Sequence, residues 1–143
     1  MLTIRCMVLL ALSIMCVVSC GCGCDAGQVH VNDVGTVFRL VIRDESNFDC
    51  ATQCEPPAAD LSAVGTTVVF EFKRPDGAVV SVPAVPTPVP LGTGTGSDGR
   101  FQVTATSMSP GFTQVGLWRF RAVASVPSVS VFRTSWDCFH VSE

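Results

Sequence analysis

From Val29 onward the chain is built of short runs in which apolar and polar residues alternate, separated by Gly, Pro, Asp and Asn, with no convincing helical period. The first run, 36–43, points Phe38, Leu40 and Ile42 to one face and turns Arg39 and Arg43 to water, as a half-buried strand does. Residues 44–47, Asp-Glu-Ser-Asn, end it. A second strand over 66–73 places Val68, Phe70 and Phe72 inward and Glu71 and Lys73 outward. Pro75-Asp76-Gly77 then supplies a turn, because Pro presets φ and Gly accepts positive φ, and 78–82 returns as the hairpin partner.

Residues 83–99 read PAVPTPVPLGTGTGSDG. Spaced prolines remove ladder donors, and the glycines behind them predict a mobile loop without regular structure. A strand over 100–106 follows, then a turn at Pro110-Gly111. The strand over 116–122 buries Trp118, Phe120 and Ala122 and exposes Arg119 and Arg121. The last run, 129–141, needs a bulge, since Val131, Trp136, Phe139 and Val141 do not share one strict period. Six or more short strands at this spacing predict an all-β fold, an antiparallel β-sandwich of about 6–8 strands, immunoglobulin-like in kind.

The N-terminus has a different character. Arg5 and the apolar run 7–18 have the order of a secretory signal, and the run is too short to span a membrane unless its polar flanks are counted. Val17-Val18-Ser19-Cys20 resembles a bacterial lipobox. That resemblance implies lipidation of Cys20 and cleavage just before it, so that 1–19 is a signal segment, 20–32 a Cys/Gly-rich tether and 33–143 the folded body. The product would sit on the extracytoplasmic side, held in the membrane by its N-terminus. Cys20, Cys22 and Cys24 alternate with glycine, a floppy arrangement unlike the separated ligand pairs of a closed zinc site. His30, in the tether, reads as a solvated residue.

Composition narrows the function. At 143 residues the chain is one domain's worth, and 48% hydrophobic with 15% charged excludes a disordered chain. Nine basic residues against twelve acidic ones leave a net charge of −3, and Lys73 is the single lysine, so no basic footprint for nucleic acid is available. Two histidines and no tyrosine leave little material for acid–base chemistry. Neither an enzyme, nor a cofactor, nor a small-molecule substrate is expected. Gly94 to Gly99 spells G-x-G-x-x-G, but a proline segment precedes it and a strand follows, whereas a dinucleotide loop needs a strand before and a helix after.

Three cysteines lie in the body. Cys50 and Cys54 share the long loop between the first two strands, and either they bond to each other or one of them bonds to Cys138. A Cys3His metal set of Cys50, Cys54, Cys138 and His140 is the weaker reading, because an exported chain meets an oxidising compartment. No metal is expected.

The run of turns and core positions resembles an immunoglobulin-like domain of tailed bacteriophages, found in the N-terminal part of baseplate upper proteins and related tail or fibre modules. The matching stretches are Val34-Gly35-Thr36, Asp60-Leu61-Ser62, Phe72-Lys73-Arg74-Pro75-Asp76-Gly77, Ser97-Asp98-Gly99-Arg100-Phe101, Gly116-Leu117-Trp118-Arg119-Phe120, and Ser135-Trp136 with Phe139 and Val141. The resemblance implies a non-catalytic docking module that binds a protein partner at a cell-envelope or virion surface. An export signal and cysteines depart from that pattern. The expected function is therefore a lipid-anchored surface module, with an unprocessed virion structural component as the alternative.

Overall fold

The computed structural model describes residues 26–46, 55–127 and 130–143. These hold nine strands: β1 (Ala26–His30), β2 (Val37–Val41), β3 (Thr67–Lys73), β4 (Val79–Pro83), β5 (Val85–Pro86), β6 (Arg100–Thr104), β7 (Gly116–Val126), β8 (Ser130–Arg133) and β9 (Asp137–Ser142). They form two sheets. One has six strands in the order β1-β9-β7-β3-β4, with β8 also on β7; the other has the order β2-β6-β5. The fold is all-β, as the alternation predicts.

The two sheets are joined by a core of aromatic rings. Phe38 on β2 lies 5.1 Å from Phe72 on β3, 5.2 Å from Phe120 on β7 and 5.0 Å from Phe139 on β9, centroid to centroid. Phe112, in the β6–β7 connection, closes the ring at 5.7 Å from Phe38 and meets Trp118 edge-on at 5.2 Å. Tilted and edge-to-face pairs of this kind add stabilisation beyond their buried area. Trp118 is fully buried, and its indole N–H donates to the Gln114 carbonyl at 2.8 Å, so no polar atom is stranded there. Phe112 lies outside every predicted strand and is 1% exposed.

The chain passes between the sheets four times, and two of those crossings are short. Ala84 alone separates β4 from β5; its N–H donates to Val68 in the six-stranded sheet, and the next residue, Val85, pairs with Gln102 in the other. Between β1 and β2 the crossing runs through Asn32, at φ 62°, and Gly35 at φ 97°. Val31, just before them, donates its N–H to Ser142 of β9, while Asn32 and Gly35 donate to Phe112 and Ala105 of the β6–β7 connection, so this turn is tied to the large sheet and to that connection.

Four departures from the sequence expectation have physical reasons. Residues 26–30, read as tether, form β1 and pair in parallel with β9; a partner more than a hundred residues away leaves no local signal. Within the irregular stretch 83–99, Val85 and Pro86 form a two-residue edge strand, where a missing proline N–H costs nothing. β7 runs to Val126 rather than ending at 122, because Ala122 and Ala124, both fully buried, continue the inward face as small residues against β3. The last run divides into β8 and β9. Arg133 opposes Val123 and Asp137 opposes Phe120, so four steps on one side face three on the other. That extra residue is the expected bulge, wide enough to interrupt the strand. It moves the inward face from even positions (Phe132) to odd ones (Phe139, Val141), and the hydroxyl and N–H of Thr134 bond to the N–H and carbonyl of Ala122 to bridge the gap.

Aspartates set the turns. Asp44, Asp60, Asp76 and Asp98 each accept a hydrogen bond from the N–H two residues on, at Ser46, Ser62, Ala78 and Arg100. Gly99, at φ 66°, follows the last of these. A Cβ there would stand 2.4 Å from the Ile42 carbonyl oxygen, which is backbone and has no room to yield.

Because Phe38 is 7% exposed and joins the small sheet to three rings of the large sheet and one of the β6–β7 connection, Phe38→Ala leaves a cavity between the sheets. The expected loss is about 3–5 kcal/mol in denaturant unfolding. Val64→Ala, at a side chain 99% exposed, is expected within about 0.5 kcal/mol of the parent.

Candidate functional site

The 83–99 segment is not loose. After Thr87 donates its N–H to the Arg100 carbonyl, the chain turns back on itself through bonds from Leu91 and Gly92 to Pro88 and from Gly94 to Thr87. The Arg100 guanidinium reaches across to the Leu91 carbonyl at 2.9 Å. Asp98 accepts from the N–H groups of Thr93 and Arg100, and three hydroxyls at Thr93, Thr95 and Ser97 bond among themselves. Burial by itself pushes the Asp98 carboxyl up, but the bonds from Arg100 and Thr93 outweigh it and hold the group below the ordinary 3.8. The G-x-G-x-x-G string lies in this loop and leads into β6, a strand, so it lacks the helix that a phosphate cradle requires.

Against the loop lies a groove of about 300 Å³, lined by Arg39, Leu40 and Val41 of β2, Thr87 and Leu91 of the loop, and Arg100 of β6. Leu91 is 53% exposed and Val89 74%, so the groove has an apolar lip open to solvent. Arg39 is steadied by Gln102 on β6 at 3.2 Å. Thr87 is buried at 2% exposure, and its hydroxyl has no hydrogen-bond partner among the described residues. In the sequence only the loop is distinctive, through its spaced prolines and glycines. Its partners on β2 lie about fifty positions away, and their Arg-Leu-Val run reads as an ordinary strand.

The remaining expected site residues fall as follows. Cys20, Cys50 and Cys54 lie outside the described residues. Cys138 is on β9, nine-tenths buried, and is not a free thiol. Cys138 and His140 alternate with the inward-facing Phe139 and Val141, so they share the outward face, as their spacing predicts. Among the described residues no group of three or more His, Cys, Asp or Glu side chains is placed to hold a metal. His30 is exposed but not simply solvated: its Nδ1 lies 3.1 Å from the Glu143 carbonyl and 3.2 Å from the Ser142 hydroxyl.

Arg121 also departs from the expected solvated surface. It sits directly opposite Glu71 in the β3–β7 ladder, its Nε donates to the carboxylate at 2.6 Å, and its guanidinium stacks 4.4 Å over Trp136. A cross-strand register no local pattern supplies brings these three together. In comparisons with known proteins, no family model matches the chain and no curated protein matches it.

Since its folded value is lowered, ionised Asp98 stabilises the loop fully above the ordinary 3.8, and that contribution is lost as pH falls below it. Thermal unfolding at about pH 5 and about pH 3 checks this. The parent is expected to lose more stability on acidification than Asp98→Asn, whose amide cannot lose a charge.

Proposed function

We propose that this chain is a non-catalytic binding module, exported and lipid-anchored through Cys20, that presents a β-sandwich to a protein partner outside the cytoplasm. The observation that carries the reading is the groove beside the 87–99 loop. Leu40, Val41 and Leu91 form its apolar part, and the cations Arg39 and Arg100 flank it. A hydrogen-bonded loop on a rigid sheet keeps its shape when a partner arrives, so less conformational entropy is lost on binding.

The immunoglobulin-like form of the sandwich belongs to this proposal. Its support is the strand order: β1-β9-β7-β3-β4 against β2-β6-β5 follows the division into a CFG-type sheet and a BED-type sheet, with the chain changing sheets after its fourth strand. Phe38 and Phe120 then occupy facing strands of the two sheets, where an aromatic contact takes the part an inter-sheet disulfide takes in antibody domains. The proposal also joins Cys138 to one of the two loop cysteines, Cys50 or Cys54, tying the β2–β3 loop to β9. The lipobox resemblance supports the anchor, and the resemblance to phage docking domains supports a protein as the partner.

Intact mass of the natively produced protein under non-reducing conditions, after separating membrane from soluble fractions, tests the anchor. A membrane-bound chain beginning at Cys20 with added acyl mass is expected; a full-length chain retaining Met1 overturns it in favour of an unprocessed virion component. A photo-crosslinking side chain at position 91 tests the surface. A discrete protein adduct, absent with the same group at position 64, is expected. Equal adducts at both positions, or none, overturn the groove.

A further inference from the structure

On the outward face of the six-stranded sheet, successive rows of the β3–β7 ladder differ in charge. Glu71 opposes Arg121, a matched pair, whereas the next outward row sets Lys73 against Arg119, two cations in direct register. Like charges directly opposite across a ladder repel. Ion pairs among the described residues engage Arg43, Arg100 and Arg121, and none engages Lys73, Arg74 or Arg119. Arg74, the residue after β3, has a buried Nε with no hydrogen-bond partner. Asp76, the acid beside it in the turn, accepts from the Gln114 amide at 2.7 Å and from the Ala78 N–H. The three cations line a cleft of about 340 Å³ whose other walls are Pro75, Gly77 and Leu117.

We propose that this cleft binds an acidic segment of a protein partner, seating its carboxylates between Lys73, Arg74 and Arg119. A carboxylate there relieves the Lys73–Arg119 repulsion and accepts charge-assisted hydrogen bonds, which are the strong ones. Low-dielectric walls focus the field of the three cations on the cleft, even though the whole chain carries a net charge of −3. Leu117, 40% exposed, and Pro75 supply an apolar wall that a peptide's flanking side chains can cover and a bare inorganic anion cannot. The inference rests on the reading of the chain as a protein-docking module and adds a second, electrostatic contact surface to it.

Fluorescence anisotropy of dye-labelled hexaglutamate with the natively produced protein tests the site. Binding is expected at about 0.05 M salt, with strong weakening at about 0.5 M, where exposed charges are screened. The double variant Lys73→Ala/Arg119→Ala is expected to bind roughly tenfold or more weakly. Its melting temperature should match or exceed the parent's, since a repulsion has been removed. Arg119→Lys, which keeps the charge, is expected to retain most of the binding. Absence of hexaglutamate binding at low salt, or equal binding by the double variant, overturns the proposal. So does full displacement by equimolar inorganic phosphate, which assigns the cleft to a phosphate instead. Failure here with position-91 crosslinking intact rejects the cleft and leaves the docking module standing; failure of both rejects the module.

Discussion

Phe38 is the contact on which the two sheets depend. The three-stranded sheet is small, and its strand β2 places this one ring against Phe72, Phe120 and Phe139 of the larger sheet and Phe112 of the connection between β6 and β7. Phe72 and Phe120 are direct ladder partners, and so are Trp118 and Phe139. The hydrogen-bonded register of the large sheet therefore assembles the socket that Phe38 enters. Packing and pairing are one constraint: a slip of one residue in β7 would turn Trp118 and Phe120 to water together.

The crossings at Ala84 and at 31–35 follow from that constraint. A sheet edge is a row of unsatisfied backbone groups, and a chain that runs from one sheet into the other uses some of them on both. Ala84 bonds to β3 while its neighbour bonds to β6, which leaves no loop between the layers to loosen. Pro83 and Pro86, at the ends of this passage, supply no N–H for further pairing. The same passage delivers the chain to Thr87, where the groove loop begins. The loop is therefore held in shape by the sheet crossing behind it and by Arg100 in front of it.

Polar side chains act in this molecule chiefly on the backbone. Four aspartates close turns on the N–H two residues ahead, Thr134 substitutes for a missing rung between β7 and the β8–β9 break, and the Trp118 indole bonds to a carbonyl. Among the described residues three buried side-chain atoms have no partner: the Thr66 hydroxyl, the Thr87 hydroxyl beside the groove and the Arg74 Nε beside the cationic cleft. Each unpaired buried group carries a desolvation cost.

The strands at β2, β3, β4, β6 and the first part of β7, the inward faces of Phe38, Phe70, Phe72, Trp118 and Phe120, and the breaks at 44–47 and 75–77 were legible in the sequence. Each depends on period-two alternation or on the conformational limits of Gly, Pro and Asp, which act within a few residues. The tertiary structure alone decided the rest. It made β1 a strand by lending it β9 as a parallel partner, drew Phe112 from a loop into the core, and placed Arg121 on Glu71 and Trp136. It also set Arg39 and Val41 beside Leu91 to make a groove, and Lys73 beside Arg119 to make a cleft. Those juxtapositions join residues tens of positions apart, and they exist only because the large sheet's register and the aromatic core select one arrangement of the strands. Local chemistry wrote the elements; long-range pairing and packing wrote the groove and the cleft.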